Sequence, residues 1–275
     1  MAGRIPAMRL ATWCIGGISS KLRYLRHWLD SRNPDVVALQ KTFAATDHFP
    51  EDALREAGYE SVVHARDGEF RNGWGVAVLV RKTLPKPKIL QMGLPGQRDP
   101  GARFVTVTVG DLEFSSVYAV YGNPAVNKFE GALKRKIAWM EQLHEHVGKR
   151  SNLCGACVLA GDFNVVSEGP ALPRTLNHTS RERDALDALL GLGLFDLYDL
   201  HRHRHPDIGT GFNYGFNPRQ PATSRLHRIL GTRVVKDQLR DAWADLEYRK
   251  AVQGLHGCTW PQSAPVIVDL SSGSI

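Results

Sequence analysis

The chain has 275 residues, of which 43% are hydrophobic and 23% charged, a composition typical of globular proteins that excludes a disordered or fibrous chain. No apolar run approaches the roughly 18–20 residues that span a membrane, and the N-terminal stretch MAGRIPAMRLATW has no apolar signal core, so we expect a cytoplasmic protein with no membrane partner. The net charge of +7 favours an anionic partner, such as nucleic acid or a phosphorylated ligand.

Strand-like and helix-like stretches alternate from the first residues onward. MRLATWCI (8–15) is predicted to be a strand, and an amphipathic helix opened by a serine cap is predicted over 19–33. PDVVALQ (34–40) is a continuous apolar strand of the kind covered on both faces. A helix is predicted over 50–59, and three strands are predicted at 73–82, 102–110 and 112–121.

The second half continues the same alternation. A long helix is predicted over 127–147, then the strand CVLAGDFN (157–164), one helix over 181–202, and strands at 225–230 and 264–270. No Gly/Ser linker, internal repeat or low-complexity tract separates these elements. We therefore predict one mixed α/β domain over 8–275, preceded by an N-terminal extension over 1–7, and we expect a monomer.

Two clusters have the residue types of a metal site. Cys154 and Cys157 form a lone C-x-x-C, but no second pair stands at a suitable spacing, so we interpret them as small residues that lead into a buried strand. The tract HRHRH (201–205) resembles a metal-binding tract, yet alternating residues of one loop rarely converge on an ion. We favour a phosphate-contacting loop, with Arg202 as a ligand-binding residue.

A polar site is predicted at the end of the strand 157–164. The apolar run in it predicts a buried strand, and this strand delivers a carboxylate and an amide, Asp162 and Asn164, at its end. An acid in such a place needs partners from other strand ends. Four further segments resemble motifs of one known family, and they follow one another in the same order as in that family. TWCIGGI resembles TWNINGI, PDVVALQKT resembles PDVIxLQET, RLHRIL resembles RxDYIL, and SAPVIV resembles SDHAPV.

Together with VLAGDFN, which resembles GDxN, and GLFDLYDLHRHRHP, which resembles GLxDxxRxxHP, these motifs are similar to those of the endonuclease/exonuclease/phosphatase superfamily, exonuclease III or AP endonuclease type. The resemblance covers the chain from about Met8 to Leu270. It implies a two-sheet α/β sandwich of the DNase I-like type, with an active site where strand-end loops converge at one end of the sheets.

The resemblance also implies roles for particular positions, and the chain departs from most of them. In the family an Asn, a Glu and a late Asp hold a divalent cation, and an Asp–His dyad supports the attack on phosphate. Here Asp162 and Asn164 are kept. Cys14 replaces the Asn, Lys41 replaces the Glu, and His227 replaces the Asp of RxD. Gln262 and Ser263 replace the Asp and the His of DH.

These replacements predict a metal-free, positively charged pocket. Mg²⁺ needs oxygen ligands, usually including carboxylates, and an ammonium at Lys41 repels it. The pocket is about four charge units more positive than the family's metal-free site, counting His227 as neutral. We therefore expect no cofactor, Lys41 paired with Asp162, and a bound phosphate or carboxylate.

Purely structural roles remain open for the same residues: Cys14 as a buried small hydrophobe, Lys41 as an ion-pair partner and His227 as an inert strand residue. Tyr121, more than Tyr118, matches a strand-end tyrosine that reaches the phosphate in the family, and either also suits a place in the sheet. The aromatic residues of GFNYGF resemble the family's aromatic loop beside the pocket, and core packing suits them equally. They are Phe212, Tyr214 and Phe216.

Three functions follow from this. The first is a divergent member that has lost metal-dependent hydrolysis and uses the old pocket for metal-independent binding of an anionic or small-molecule ligand, or for catalysis by Cys14, Lys41, His227 and Asp162. The second is an active Mg²⁺-dependent phosphodiesterase or AP endonuclease that acts on DNA. The third is a non-catalytic module that binds nucleic acid or protein. The replaced residues favour the first.

Overall fold

The computed structural model describes residues 5–65, 75–96, 102–122, 131–150, 155–166, 179–215, 217, 219–250, 252, 255 and 260–272. Two six-stranded sheets form its centre. The first has the order β11-β12-β1-β2-β4-β3, with β1 Met8–Cys14, β2 Val36–Gln40, β3 Tyr59–His64, β4 Val76–Arg81, β11 Leu239–Ala244 and β12 Val266–Leu270. The second has the order β5-β6-β7-β8-β10-β9, with β5 Lys88–Met92, β6 Phe104–Val109, β7 Leu112–Tyr118, β8 Ala156–Asp162, β9 Phe195–Asp196 and β10 His227–Gly231.

Six helices accompany the sheets in the described part of the chain: α1 Ile18–Arg32, α2 Glu51–Glu56, α3 Ala132–Gly148, α4 Ser180–Leu190, α5 Leu197–Arg204 and α6 Arg233–Lys236. Short 3₁₀ turns lie at Thr46–His48, Pro206–Ile208 and Leu246–Arg249. In the part of the chain that the structure describes, no helix has the length and apolar character needed to cross a membrane.

Three apolar clusters hold these layers together. One lies between the two sheets, where residues such as Leu10 and Val36 pack with Phe114 and Val158. A second packs α1 against the outer face of the first sheet, through Trp28 among others. A third packs α3 and α4 against the outer face of the second sheet. Strands covered on both faces are largely apolar, which is why β2 and β8 are hydrophobic runs up to the polar residues that end them, Gln40 and Asp162.

The strand directions bring several chain ends to one edge. β1 runs parallel to β2, and β7 runs parallel to β8, so each parallel pair ends at the same edge of its sheet. β10 is antiparallel to β8, and its first residue, His227, lies opposite the last residue of β8, Asp162. This arrangement confirms the predicted α/β sandwich with two sheets and predicts a site at their shared end.

Three local predictions were wrong. Helix α1 begins after Gly17, whose position has no side-chain cap, so the expected serine cap is absent. The helix predicted over 181–202 is two helices with strand β9 between them, because α4 stops at Leu190 and the following turn requires a positive φ of 91° at Gly193. The tract predicted as a phosphate-contacting loop at 201–205 belongs mostly to helix α5, which ends at Arg204.

Candidate functional site

Asp162 is the centre of the site. It ends β8, is 1% exposed, and accepts a hydrogen bond at Oδ1 from the Asn164 backbone N–H at 2.9 Å. Burial by itself raises the pKa of this carboxyl, but the adjacent His227 ring, the Lys41 ammonium and the Asn164 N–H lower it to about 2. Asp162 is therefore a buried carboxylate that stays ionised at neutral pH.

The glycine that precedes Asp162 is required by the packing of the parallel pair β7 and β8. A Cβ atom at Gly161 would lie 1.9 Å from the carbonyl oxygen of Val117. No side chain fits at that separation, so the GD pair of the motif places a carboxylate at a strand end where two backbones approach closely.

Lys41 reaches Asp162 from the facing sheet. It follows β2, has a left-handed backbone with a φ of 53°, and places Nζ 3.8 Å from Asp162 Oδ2. This backbone conformation costs about 1–2 kcal/mol for a lysine. Strain of this kind is common at functional sites. The ammonium also lies 5.4 Å from the ring centroid of Tyr118. The predicted Lys41–Asp162 pair is thus present in the structure.

The pKa of Lys41 keeps it charged. Burial by itself lowers the pKa of this amine, but the Cys14, Tyr118 and Asp162 side chains raise it well above its ordinary value. Of these three neighbours, Asp162 is the one that is ionised at neutral pH, because burial raises the pKa of the Cys14 thiol and of the Tyr118 hydroxyl to about 12. Lys41 is therefore a cation, and Cys14 is a neutral thiol.

A buried polar contact between the sheets fixes this geometry. The Gln40 side chain donates to Ser116 Oγ at 3.1 Å and accepts from Thr12 Oγ1 at 3.1 Å. Ser116 Oγ in turn donates to the carbonyl oxygen of Leu39 at 3.0 Å. Gln40 directly precedes Lys41 and Ser116 belongs to β7, so these bonds set how the end of β2 meets the second sheet.

Asn164 is held in place from behind. It has a positive φ of 53°, which Asn tolerates better than most residues, and its side-chain amide donates to the Ala119 carbonyl at 2.7 Å. Its own carbonyl accepts from the buried ammonium of Lys136, which also pairs with Glu182 at 2.6 Å. In this structure the Asn164 amide is engaged by the backbone.

Cys14 and His227 complete a compact group around Asp162. One ligand-type atom from each of the three residues lies within 4.8 Å of the other two, and all three residues are buried. His227 Nε2 is 3.7 Å from Asp162 Oδ2, which is beyond hydrogen-bonding distance. Neither ring nitrogen of His227 has a hydrogen-bond partner within the described residues. The ring also packs edge-on against Tyr214, with 6.3 Å between centroids.

A cavity of about 340 Å³ opens onto this group. Its lining residues are Cys14, Ile15, Gly16, Lys21, Lys41, Tyr214, Trp260, Gln262 and Ser263. Lys21, which sequence reasoning missed, donates from Nζ to the Gly16 carbonyl at 2.5 Å, and burial lowers its pKa. The GGISSK segment could have suggested it, since a lysine in the first turn of α1 lies near the end of β1.

The remaining predicted residues divide into two groups. Tyr121 lies beside the site, packed against a small cluster that includes Tyr214 and Leu226. Phe212 is not in the 340 Å³ cavity but lines a larger one of about 840 Å³, and Trp260 lines both. Arg202 lines neither: it lies on α5 with its guanidinium 3.5 Å from Asp199. Its helix contacts β10 and β11, and its role as a ligand contact stays a prediction.

Two predicted features fall outside the described residues, at Cys154 of the C-x-x-C and at Phe216 of the aromatic loop. Cys157, the other half of the C-x-x-C, is buried at the start of β8 with Sγ 3.7 Å from a carboxylate oxygen of Glu113.

The residues present do not fit a hard divalent cation such as Mg²⁺. The cavity wall near Asp162 supplies a thiol at Cys14 and an ammonium at Lys41, where a hard ion needs oxygen ligands. The backbone carbonyl of Gln262 accepts hydrogen bonds from the Gly215 N–H at 3.2 Å and from Arg249 Nε at 2.7 Å. Among the described residues of the site, a single buried carboxylate that already faces an ammonium supplies too little negative charge for such an ion.

A family model for the Endonuclease/Exonuclease/phosphatase family matches residues 15–244. The chain belongs to this family. Its fold is shared by the 3'-5' exonuclease NExo from Neisseria meningitidis, with a TM-score of 0.81, 27% identity, and coverage of 96% of this chain and all of that one. A variant of the Neisseria protein, described as a 3' phosphatase, has been solved bound to a product DNA hairpin.

The chain is also similar in sequence to two further proteins, one of them an exonuclease III. Recombination repair protein 1 of Drosophila melanogaster is 28% identical over 216 residues, which are 73% of this chain and 29% of that protein. Exodeoxyribonuclease III of Haemophilus influenzae is 21% identical over 161 residues, 58% of each chain. The chain thus spans 29% and 58% of the lengths of these two relatives.

Proposed function

We propose that this chain binds a phosphate-bearing ligand in the cavity at the sheet ends and does so without a divalent cation. The observation that carries the proposal is the Lys41 ammonium, 3.8 Å from Asp162 and on the wall of the 340 Å³ cavity. Lys21 lines the same wall. Two amines on one cavity wall make the cavity attractive to an anion.

Binding is favoured over catalysis by the protonation states at the site. A nucleophile must give up its proton, yet the pKa of the Cys14 thiol is about 12 and Lys41 is held as an ammonium. In this reading Lys41 supplies a fixed positive charge, and Asp162 keeps that ammonium in position. The family's metal-dependent hydrolysis is lost, because the cavity wall does not fit a hard cation.

The phosphate of a nucleic acid is the first ligand to test. The Neisseria protein that shares this fold is described as a 3'-5' exonuclease, a variant of it was solved with a product DNA hairpin, and this chain carries a net charge of +7. The larger cavity, with Trp260, Phe212 and Trp243 among its lining residues, offers an aromatic and apolar wall for the organic part of the ligand.

Calorimetry in EDTA tests the proposal, with inorganic phosphate and a 3'-phosphorylated oligonucleotide as ligands. Both should bind, and Lys41→Met and Lys21→Met should each weaken binding by about tenfold, because each removes one charge contact. Lys149→Met, at an exposed lysine, is the matched control. Binding that needs Mg²⁺, or that is unaffected by Lys41→Met, would contradict the proposal.

A Mg²⁺-dependent phosphodiesterase is the second candidate, favoured by the retained Asp162 and Asn164. We expect the purified protein not to cleave an abasic-site duplex above background with Mg²⁺ or Mn²⁺. Robust cleavage that is abolished by Asp162→Asn would establish this second function and reject the first.

A further inference from the structure

The side chains of Cys14, Asp162 and His227 have the composition of a soft-metal site. A thiol, a carboxylate and an imidazole converge, with one ligand-type atom of each within 4.8 Å of the others. All three residues are buried, with exposures of 4%, 1% and 1%. Cysteine, histidine and aspartate are ligands that Zn²⁺ takes from proteins, commonly three at a time with a fourth position left open.

The orphan nitrogens of His227 point to a missing partner. Both ring nitrogens are buried, and neither has a hydrogen bond within the described residues. Buried polar groups are nearly always satisfied, so an imidazole in this state needs an explanation. A metal ion on Nε2, the nitrogen 3.7 Å from Asp162, would satisfy one of them.

The separation between the ligand atoms of His227 and Asp162 suits a tetrahedral ion after a small adjustment. With metal–ligand bonds of about 2.0–2.1 Å for imidazole and carboxylate, the edge of the tetrahedron between them is about 3.3 Å. The observed separation between His227 Nε2 and Asp162 Oδ2 is 3.7 Å. These two residues are direct partners across the β8–β10 pair, so the separation is set by the sheet. Cys14 approaches from the end of β1 in the facing sheet.

We propose that Cys14, Asp162 and His227 form a binding site for Zn²⁺ or a similar transition metal ion, with its open position toward the 340 Å³ cavity, which Cys14 lines. Thiolate and imidazole ligands select such ions over Mg²⁺. Metal binding displaces the Cys14 proton to solvent, and the resulting thiolate and the Asp162 carboxylate balance the charge of a divalent ion. The proposal departs from the metal-free site predicted from the sequence, which considered hard ions at the family's ligand positions.

Metal binding at this site requires that the Lys41 ammonium move away from Asp162. This ammonium and the metal ion would compete for the same carboxylate, since Nζ lies 3.8 Å from Asp162 Oδ2. The Lys41 side chain is 22% exposed and lines the cavity, so it has space to turn away when a metal ion binds. Removing this charge should therefore strengthen metal binding, whereas a structural defect would weaken it.

The proposal is tested with the reduced full-length chain, stripped of metal with EDTA and then titrated with Co²⁺ alone. One Co²⁺ per chain should bind, with the charge-transfer band of a cobalt–thiolate bond, and Zn²⁺ should displace it. Cys14→Ser should abolish the band, and Cys14→Ser and His227→Asn should each weaken binding by at least about 100-fold, because loss of even an indirect partner of a ligand costs 10–100-fold.

Cys157→Ser is the matched control, because Cys157 is the other buried free cysteine of the described residues. It should keep the band. Lys41→Met should tighten binding by about tenfold, since it removes a repulsive charge beside the ion. Any one of four results would overturn the proposal. These are the absence of a thiolate band with excess Co²⁺, a band that survives Cys14→Ser, a band lost in Cys157→Ser, and weaker Co²⁺ binding by Lys41→Met. Phosphate binding in EDTA is measured separately, so either proposal can fail without the other.

Discussion

Lys41 and Asp162 belong to facing sheets, and their charged atoms lie 3.8 Å apart at the end where both sheets stop. Lys41 follows β2 of the first sheet and Asp162 ends β8 of the second. In the family that the chain belongs to, the resemblance places a metal-binding Glu where Lys41 stands. The Lys41 ammonium therefore places a positive charge where the resemblance to the family implies a metal ion.

Lys41→Met should destabilise the fold while keeping most of the side-chain volume. It leaves the buried Asp162 carboxylate without its ammonium, and we expect a loss of about 1–2 kcal/mol at pH 7, less than for a fully buried pair because Lys41 is partly exposed. Urea denaturation measures this loss. Lys149→Met at the exposed pair with Glu145 is the control, and it should leave the free energy of unfolding nearly unchanged because solvent screens that pair. Equal effects of the two substitutions would show that the Lys41–Asp162 contact is not formed.

Asp162 should contribute to acid denaturation in a defined pH window. Its folded-state pKa of about 2 is below the ordinary value of 3.8, so its ionisation stabilises the fold above about pH 4, and this stabilisation is lost as the pH falls toward 2. Unfolding free energies measured between pH 2 and 6 should therefore show a smaller slope in Asp162→Asn than in the wild type. Asp52→Asn, at an exposed carboxylate, controls for the removal of one acid. An unchanged slope in Asp162→Asn would contradict the assignment.

The Gln40–Ser116 contact should matter for binding as well as for stability. Ser116→Ala removes an acceptor from the Gln40 amide and should cost about 1–3 kcal/mol, because a buried donor is left unsatisfied. Since the contact joins the two sheets next to Lys41, phosphate affinity should fall too. Ser115→Ala is the matched control: its hydroxyl bonds Thr106 within one sheet, at 2.8 Å. It should reduce stability and leave phosphate affinity unchanged.

The buried pair of Lys136 and Glu182 should support Asn164 from behind. Lys136→Met leaves the buried Glu182 carboxylate without its ammonium, and we expect a loss of about 3–5 kcal/mol. Combining it with Glu182→Gln should recover part of that loss, and a double-mutant cycle in urea measures the coupling. Additive effects would show that the two charges do not interact.

Hydrolysis should not return with one substitution. Lys41→Glu alone should show no Mg²⁺-dependent nuclease activity, because His227, Gln262 and Ser263 still differ from the family's motif. The combination of Cys14→Asn, Lys41→Glu, His227→Asp, Gln262→Asp and Ser263→His is the variant in which we expect activity, assayed on an abasic-site duplex. Mg²⁺-dependent nuclease activity in Lys41→Glu alone would show that the site differs less from the family's active site than the replaced residues indicate.

The sequence by itself determined the fold class and the positions of the strands that form the site. β2 and β8 are apolar runs up to their polar last residues because both their faces are covered, and this local pattern is visible without a structure. The same motifs located Cys14, Lys41, Asp162 and His227. Four strands were missed: β3, which is only partly buried, β5, whose residues are mostly exposed, the two-residue β9, and β11, which has two exposed residues. The start of α1 was missed because a glycine, not a serine, precedes it.

Only the tertiary structure decided which atoms meet. Lys41 and Asp162 are 121 positions apart in the printed chain and come from different sheets, so their 3.8 Å contact depends on how the sheets pack. The same packing brings the Cys14 thiol to the His227 ring, and it places Lys21 on the cavity wall. Strand patterns are local and can be recognised in a sequence, whereas the distances between strand ends of two sheets result from the packing of the whole core.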